Sequence, residues 1–205
     1  ICKKKNARDK REDIKKDIED KKEELVNDIK NSDLERNSIE ELLTGWAKDF
    51  KDLDPDDPSL EAIEALQASG VIEGYADGSF QSKREISRAE FIKIIVGAQG
   101  VDYPTQKACF SDMSQDDWFL PYVCYAKSQG WVSGYEDGLF RPHQTINFVE
   151  ASKILNAALL KTAPTGTEPW YQAPVEALAE AHAIPLSIPS LEHELSRGES
   201  VEILY

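Results

Sequence analysis

The chain has 205 residues, of which 40% are hydrophobic and 30% charged, enough apolar content for one or two modest cores and too much for a disordered chain. Its formal charge of -14 is uneven: residues 1–50 hold 13 Lys and Arg against 14 Asp and Glu, and the remainder holds 11 against 24. So acidic a chain, with no basic stripe, argues against nucleic acid and anionic membrane surfaces as partners, and no run approaches the roughly 20 apolar residues of a membrane helix.

The chain begins at Ile1 and shows no charged start followed by an apolar stretch, so a processed or partial chain is expected. Residues 9–30 contain neither Gly nor Pro and are rich in helix formers with opposite charges three or four apart, which predicts a long exposed helix. Ile14, Ile18, Leu25 and Ile29 form one thin stripe, and residues 1–36 are read as a stalk. A second helix spans 37–49, where Ser38 and Glu41 make a capping box and Ile39, Leu42, Leu43 and Trp46 share a face.

From Phe50 onward the sequence repeats with a period of 60 residues: Phe50, Asp52, Gly70, Gly74, Tyr75, Asp77, Gly78, Phe80, Ile86, Glu90 and Lys93 recur as Phe110, Asp112, Gly130, Gly134, Tyr135, Asp137, Gly138, Phe140, Ile146, Glu150 and Lys153. Each unit reads as helix, Gly-punctuated loop, helix: 59–69 then 88–98, and 118–129 then 148–160. A hairpin of this kind cannot bury its apolar face alone, so a third copy is expected. Trp170, Tyr171 and Pro174 echo Trp118, Phe119 and Pro121, and Leu195 to Glu199 echo Ile86 to Glu90, but the loop 183–189 has lost the Gly-Tyr element. The repeats are assigned to 50–109, 110–162 and 163–205, and the fold class is all-α.

Ser87 with Glu90, Asn147 with Glu150 and Ser196 with Glu199 predict three capping boxes, preceded by Ile86, Ile146 and Leu195 in the place of a hydrophobic staple. Local structure gives no reason for Arg88 and Arg197. Both fall at the first helical position, where the helix dipole disfavours a cation but free N–H groups and a guanidinium together suit an anion; a salt bridge to a neighbouring acid is the alternative. Trp118 and Trp170 begin the first helices, and their size favours the core over a flat face offered to a sugar ring. Asp-Gly in the Gly-Tyr loops supplies left-handed backbone, and the alternating ligands of a calcium loop are missing. His143, His182 and His193 share no repeat position, no nucleophile or phosphate-loop motif occurs, and neither catalysis, metal nor cofactor is expected. Cys2, Cys109 and Cys124 have no C-x-x-C spacing, which argues against zinc. A Cys109–Cys124 bridge and two buried thiols both remain compatible with that spacing.

Phe-x-Asp, a helix, Gly-x-x-x-Gly-Tyr-x-Asp-Gly-x-Phe and then Ile-Ser-Arg-Ala-Glu resemble the surface-layer homology (SLH) repeat. The resemblance implies three repeats packed as a pseudo-threefold helical spindle. It also implies a non-catalytic module at the bacterial cell surface, outside the cell, whose grooves bind pyruvylated cell-wall polysaccharide or a peptidoglycan-linked polymer. By that resemblance Arg88 and Arg197 contact the acidic ketal, and Gly74, Tyr75, Gly134 and Tyr135 shape the grooves, with Trp118 and Trp170 as the candidate sugar-facing aromatics. Three departures stand out: Phe148 occupies the second arginine slot, Pro58 the first tryptophan slot, and the third repeat lacks its loop. One or at most two working grooves are therefore expected, with Arg197 the weaker ligand because its own repeat has no Gly-Tyr loop. The rival reading is an interaction protein whose worn repeats pack against other surface-layer subunits.

Overall fold

Among the described residues helices start in two ways, from a capping box or with no side-chain cap bond at all. A computed structural model describes residues 50–101, 107–160 and 169–205; the expected stalk over 1–36 and helix over 37–49 lie outside the described residues. Each repeat contributes two helices: α1 (Leu60–Ala68) and α2 (Arg88–Ala98), α3 (Leu120–Ser128) and α4 (Phe148–Leu155), α5 (Gln172–Glu180) and α6 (Arg197–Glu202). The described residues are helical, with isolated bridges and no strand. The second helices carry the expected capping boxes, with Ser87, Asn147 and Ser196 each accepting from the backbone of the glutamate three residues on. Beyond Leu155 the expected helix continues differently, as a π turn over Asn156–Leu160.

Within a repeat, the aromatic-x-Asp segment fastens the loop. Asp52 accepts from the backbone N–H groups of Phe80 (2.7 Å) and Gln81 (2.8 Å), and Asp112 accepts from those of Phe140 (3.1 Å) and Arg141 (2.7 Å). These bonds hold Gln81 and Arg141 at φ 61° and 58°, left-handed conformations that a side chain disfavours. Cys109 and Cys124 are bridged, with Cα atoms 5.6 Å apart, which ties the segment before the second repeat to α3.

Between repeats the chain closes on itself. Ile86 N–H donates to Leu195 O (2.9 Å), Leu195 N–H to Ile146 O (2.9 Å) and Ile146 N–H to Ile86 O (3.2 Å), a three-membered ring of backbone bonds. Ile86, Ile146 and Leu195 are fully buried around it, so the residues that precede the helix caps join the three repeats. A second ring surrounds the first: Arg88 N–H donates to Gln144 O (2.9 Å), Phe148 N–H to His193 O (2.8 Å) and Arg197 N–H to Arg84 O (2.7 Å). The helices follow the same order, α2 packing on α3, α4 on α5 and α6 on α1. Each apolar face is thus covered by the next repeat, and the third covers the first. This order fixes which side chains from different repeats can meet.

Candidate functional site

Arg88 and Arg197 start from the first residue of a helix, but their guanidinium groups are buried in the following repeat. Arg88, 6% exposed, donates from Nε to Phe140 O (3.0 Å) and lies 4.7 Å from the centre of the Tyr135 ring and 5.0 Å from that of Phe140. Arg197, 9% exposed, lies 4.7 Å from the Tyr75 ring centre and 4.6 Å from that of Phe80. Its Nη2 donates to Glu73 O (2.6 Å) and its Nη1 to Tyr75 Oη (3.0 Å). Two aromatic faces and a carbonyl replace part of the lost hydration in each case. Burial pushes the Arg197 guanidinium down from its usual range, despite the favourable charge of Glu90.

The expectation that Arg197 would lack a second wall is corrected by this geometry. The wall comes from the Gly74-Tyr75 loop of the first repeat, next in the cycle, so the worn loop of its own repeat is not involved. Arg197, Gly74, Tyr75, Lys93 and Trp118 line one groove of about 590 Å³. Arg88, Gly134, Tyr135, Lys153 and Trp170 line a second, of about 310 Å³. Each groove therefore draws its arginine, its tyrosine and lysine, and its tryptophan from three different repeats. Glycine is required in both loops: a Cβ on Gly74 would come within 2.9 Å of Ser79 O and against the Phe50 ring, and one on Gly134 within 2.8 Å of Leu139 O and 2.7 Å of the Phe110 ring.

Trp118 and Trp170 are not core residues, as their size had suggested; they are 52% and 46% exposed. Their neighbours Phe119 and Leu120 take the buried positions on the first of these helices, leaving the indole faces at the groove edge. Lys93 Nζ lies 6.0 Å from the Trp118 ring centre and Lys153 Nζ 5.3 Å from that of Trp170. These lysines were missed as site residues. Their signal was present in the sequence, since Lys93 and Lys153 recur at one repeat position three residues after the capping glutamate, on the same helical face.

The capping glutamates also bind across the loops. Tyr135 Oη donates to Glu150 (2.7 Å), and burial together with that bond pushes the Tyr135 hydroxyl up to about 12. Burial alone would raise the Glu90 carboxyl, but bonds from Arg84 and Ser87 hold it below its ordinary value. In the third repeat, whose loop 183–189 carries no tyrosine, Ser187 Oγ (2.7 Å) and His193 Nε2 (3.0 Å) meet Glu199 instead.

The corresponding third groove has lost every component together. The same cycle brings to it Phe148 in the arginine slot, Glu202 in the lysine slot, Pro58 in the tryptophan slot and the shortened loop 183–189. Phe148 is buried at 3% exposure. Burial and the charges of Glu199 and Asp57 raise the Glu202 carboxyl, which stands at the repeat position where the other two grooves carry a lysine. The three departures visible in the sequence thus fall in one groove and leave the other two intact.

Residues 49–92 and 110–151 match the family model described as the S-layer homology domain. The chain is 28% identical over 153 residues to the "Middle cell wall protein" of Brevibacillus brevis, covering 70% of this chain and 14% of that protein. It is 32% identical over 108 residues to the "Surface layer protein" of Brevibacillus choshinensis, covering 50% of this chain and 10% of that protein. It is 30% identical over 118 residues to the "Cellulosome-anchoring protein" of Acetivibrio thermocellus, covering 54% and 26% respectively. The chain spans about a quarter or less of the length of these three relatives.

Proposed function

We propose that this chain, which belongs to the S-layer homology domain family through residues 49–92 and 110–151, anchors its parent protein at the bacterial cell surface by holding an acidic cell-wall glycan in two grooves. The coarse role, a non-catalytic surface-anchoring module, follows the family and relatives named for surface layers and anchoring. The glycan reading is supported by one observation above others: each groove combines a buried arginine with an exposed indole and a lysine. A guanidinium recognises a carboxylate by two parallel bonds, an indole covers a sugar face, and the site's other polar groups fix orientation. A pyruvyl ketal carries that carboxylate on a sugar, which makes a pyruvylated polymer the ligand that uses all these groups. The Cys109–Cys124 bridge suits an oxidising, extracellular compartment.

The interaction-protein reading drew on an apolar residue in a ligand slot. Phe148 is covered within this chain, so no second protein is needed to bury it. The test is co-sedimentation of the chain with purified sacculi that retain or have lost their attached polysaccharide. Retention only with the polysaccharide supports anchoring through the glycan, and equal retention by both overturns it.

A further inference from the structure

The two complete grooves differ in charge balance at one position. In the first repeat, Arg84 Nη2 binds Glu90 Oε1 at 2.5 Å, and Arg84 and Arg197 both donate to Tyr75 Oη. The corresponding residue of the second repeat is Gln144, whose amide reaches Tyr135 Oη at 3.4 Å. With no arginine there, Glu150 pairs with Arg88 at 3.3 Å. Arg88 therefore already has a carboxylate partner. Among the described residues no carboxylate pairs with Arg197: its Nη atoms rest on a phenol oxygen and a carbonyl, and its Nε is buried without a partner. Around Tyr75 Oη there are two guanidinium groups and one carboxylate, which Arg84 holds, whereas around Tyr135 Oη there is one of each. Arg141 does not restore the balance, because it lies 4.2 Å from the Tyr135 ring centre but is itself paired with Asp137 at 2.8 Å.

We propose that Arg84, by occupying Glu90, leaves Arg197 without a directly paired carboxylate and makes the Arg197 groove the stronger of the two for a carboxylate-bearing ligand. A carboxylate entering that groove meets a desolvated cation with no paired carboxylate to displace, while one entering the Arg88 groove must displace or share Glu150. Arg84 is thus a positioning residue that acts through Glu90. This inference rests on the reading of the grooves as acidic-glycan sites and ranks them.

The test is isothermal titration of the full chain with a pyruvyl-ketal hexosamine glycoside and with the same glycoside lacking the ketal. Arg88→Phe leaves the Arg197 groove, and Arg197→Phe leaves the Arg88 groove; phenylalanine is already accommodated at this slot as Phe148. The Arg197 groove is expected to bind the acidic glycoside about tenfold more tightly, the scale of one charged hydrogen bond. Adding Arg84→Gln to Arg88→Phe removes that advantage without changing affinity for the neutral glycoside, and Arg84→Lys retains most of it. Gln144→Arg added to Arg197→Phe tightens the weaker groove. Equal constants for the two grooves, or an Arg84→Gln loss shared by acidic and neutral glycosides, would overturn the ranking alone. A parent chain that does not distinguish the two glycosides would overturn the glycan reading and the ranking with it.

Discussion

Arg88 and Arg197 occupy a position that the helix dipole disfavours, and each helix tolerates its cation because the side chain turns away to the ring faces and carbonyl of the next repeat. The shape of that contact matters as much as its charge. Arg197→Lys is expected to weaken binding of a pyruvylated glycan nearly as much as Arg197→Ala, by about tenfold or more in a titration, because an ammonium cannot form two parallel bonds. The capping glutamates give a second outcome at this scale. The Glu90 and Glu199 carboxyls are held below the ordinary value of 4.5, so their contribution is fully present above that pH and is lost as pH falls through the lowered values. The melting temperature should therefore drop as pH falls below about 4.5, and Glu90→Gln should flatten that slope. The caps were legible in the sequence because a capping box is a local pattern. That an arginine was misplaced was legible too, but not the loop that receives it, since Arg197 and Tyr75 meet across 122 residues.

Helix positions could be read from periodicity and caps, and most ends fell close to where Gly and the loop residues placed them. The π turn at Asn156–Leu160 carries no comparable local signal. The exposed tryptophans were misjudged for a related reason: hydrophobicity favours burial of an indole, and only the cyclic packing shows that Phe119 and Leu120 have taken the core positions. The bridge between Cys109 and Cys124 closes a short loop of sequence separation 15 onto α3. Replacing both cysteines with serine is expected to cost about 3 kcal/mol of stability, measured by urea denaturation, with the glycan affinity of the folded fraction unchanged. His193 shows how a worn repeat keeps its helix start, because its imidazole and Ser187 take over the bond to the capping glutamate that tyrosine makes elsewhere.

At the scale of the molecule, the third repeat is retained because the ring needs three members even though its own groove is lost. It supplies Leu195 to the backbone ring, α6 to cover α1, and both Arg197 and Trp170 to the two complete grooves. Removal of residues 163–205 is expected to abolish the cooperative melting of the first two repeats, followed by circular dichroism, since the rings open and two apolar faces lose their cover. The most direct test of the central claim is the stoichiometry of titration with a pyruvylated wall-glycan fragment. The account predicts two sites per chain, reduced to one by either Arg88→Phe or Arg197→Phe and to none by both, with no comparable binding of the fragment after its pyruvyl groups are removed. Binding that persists in the double variant, or that is indifferent to the pyruvyl group, would contradict it.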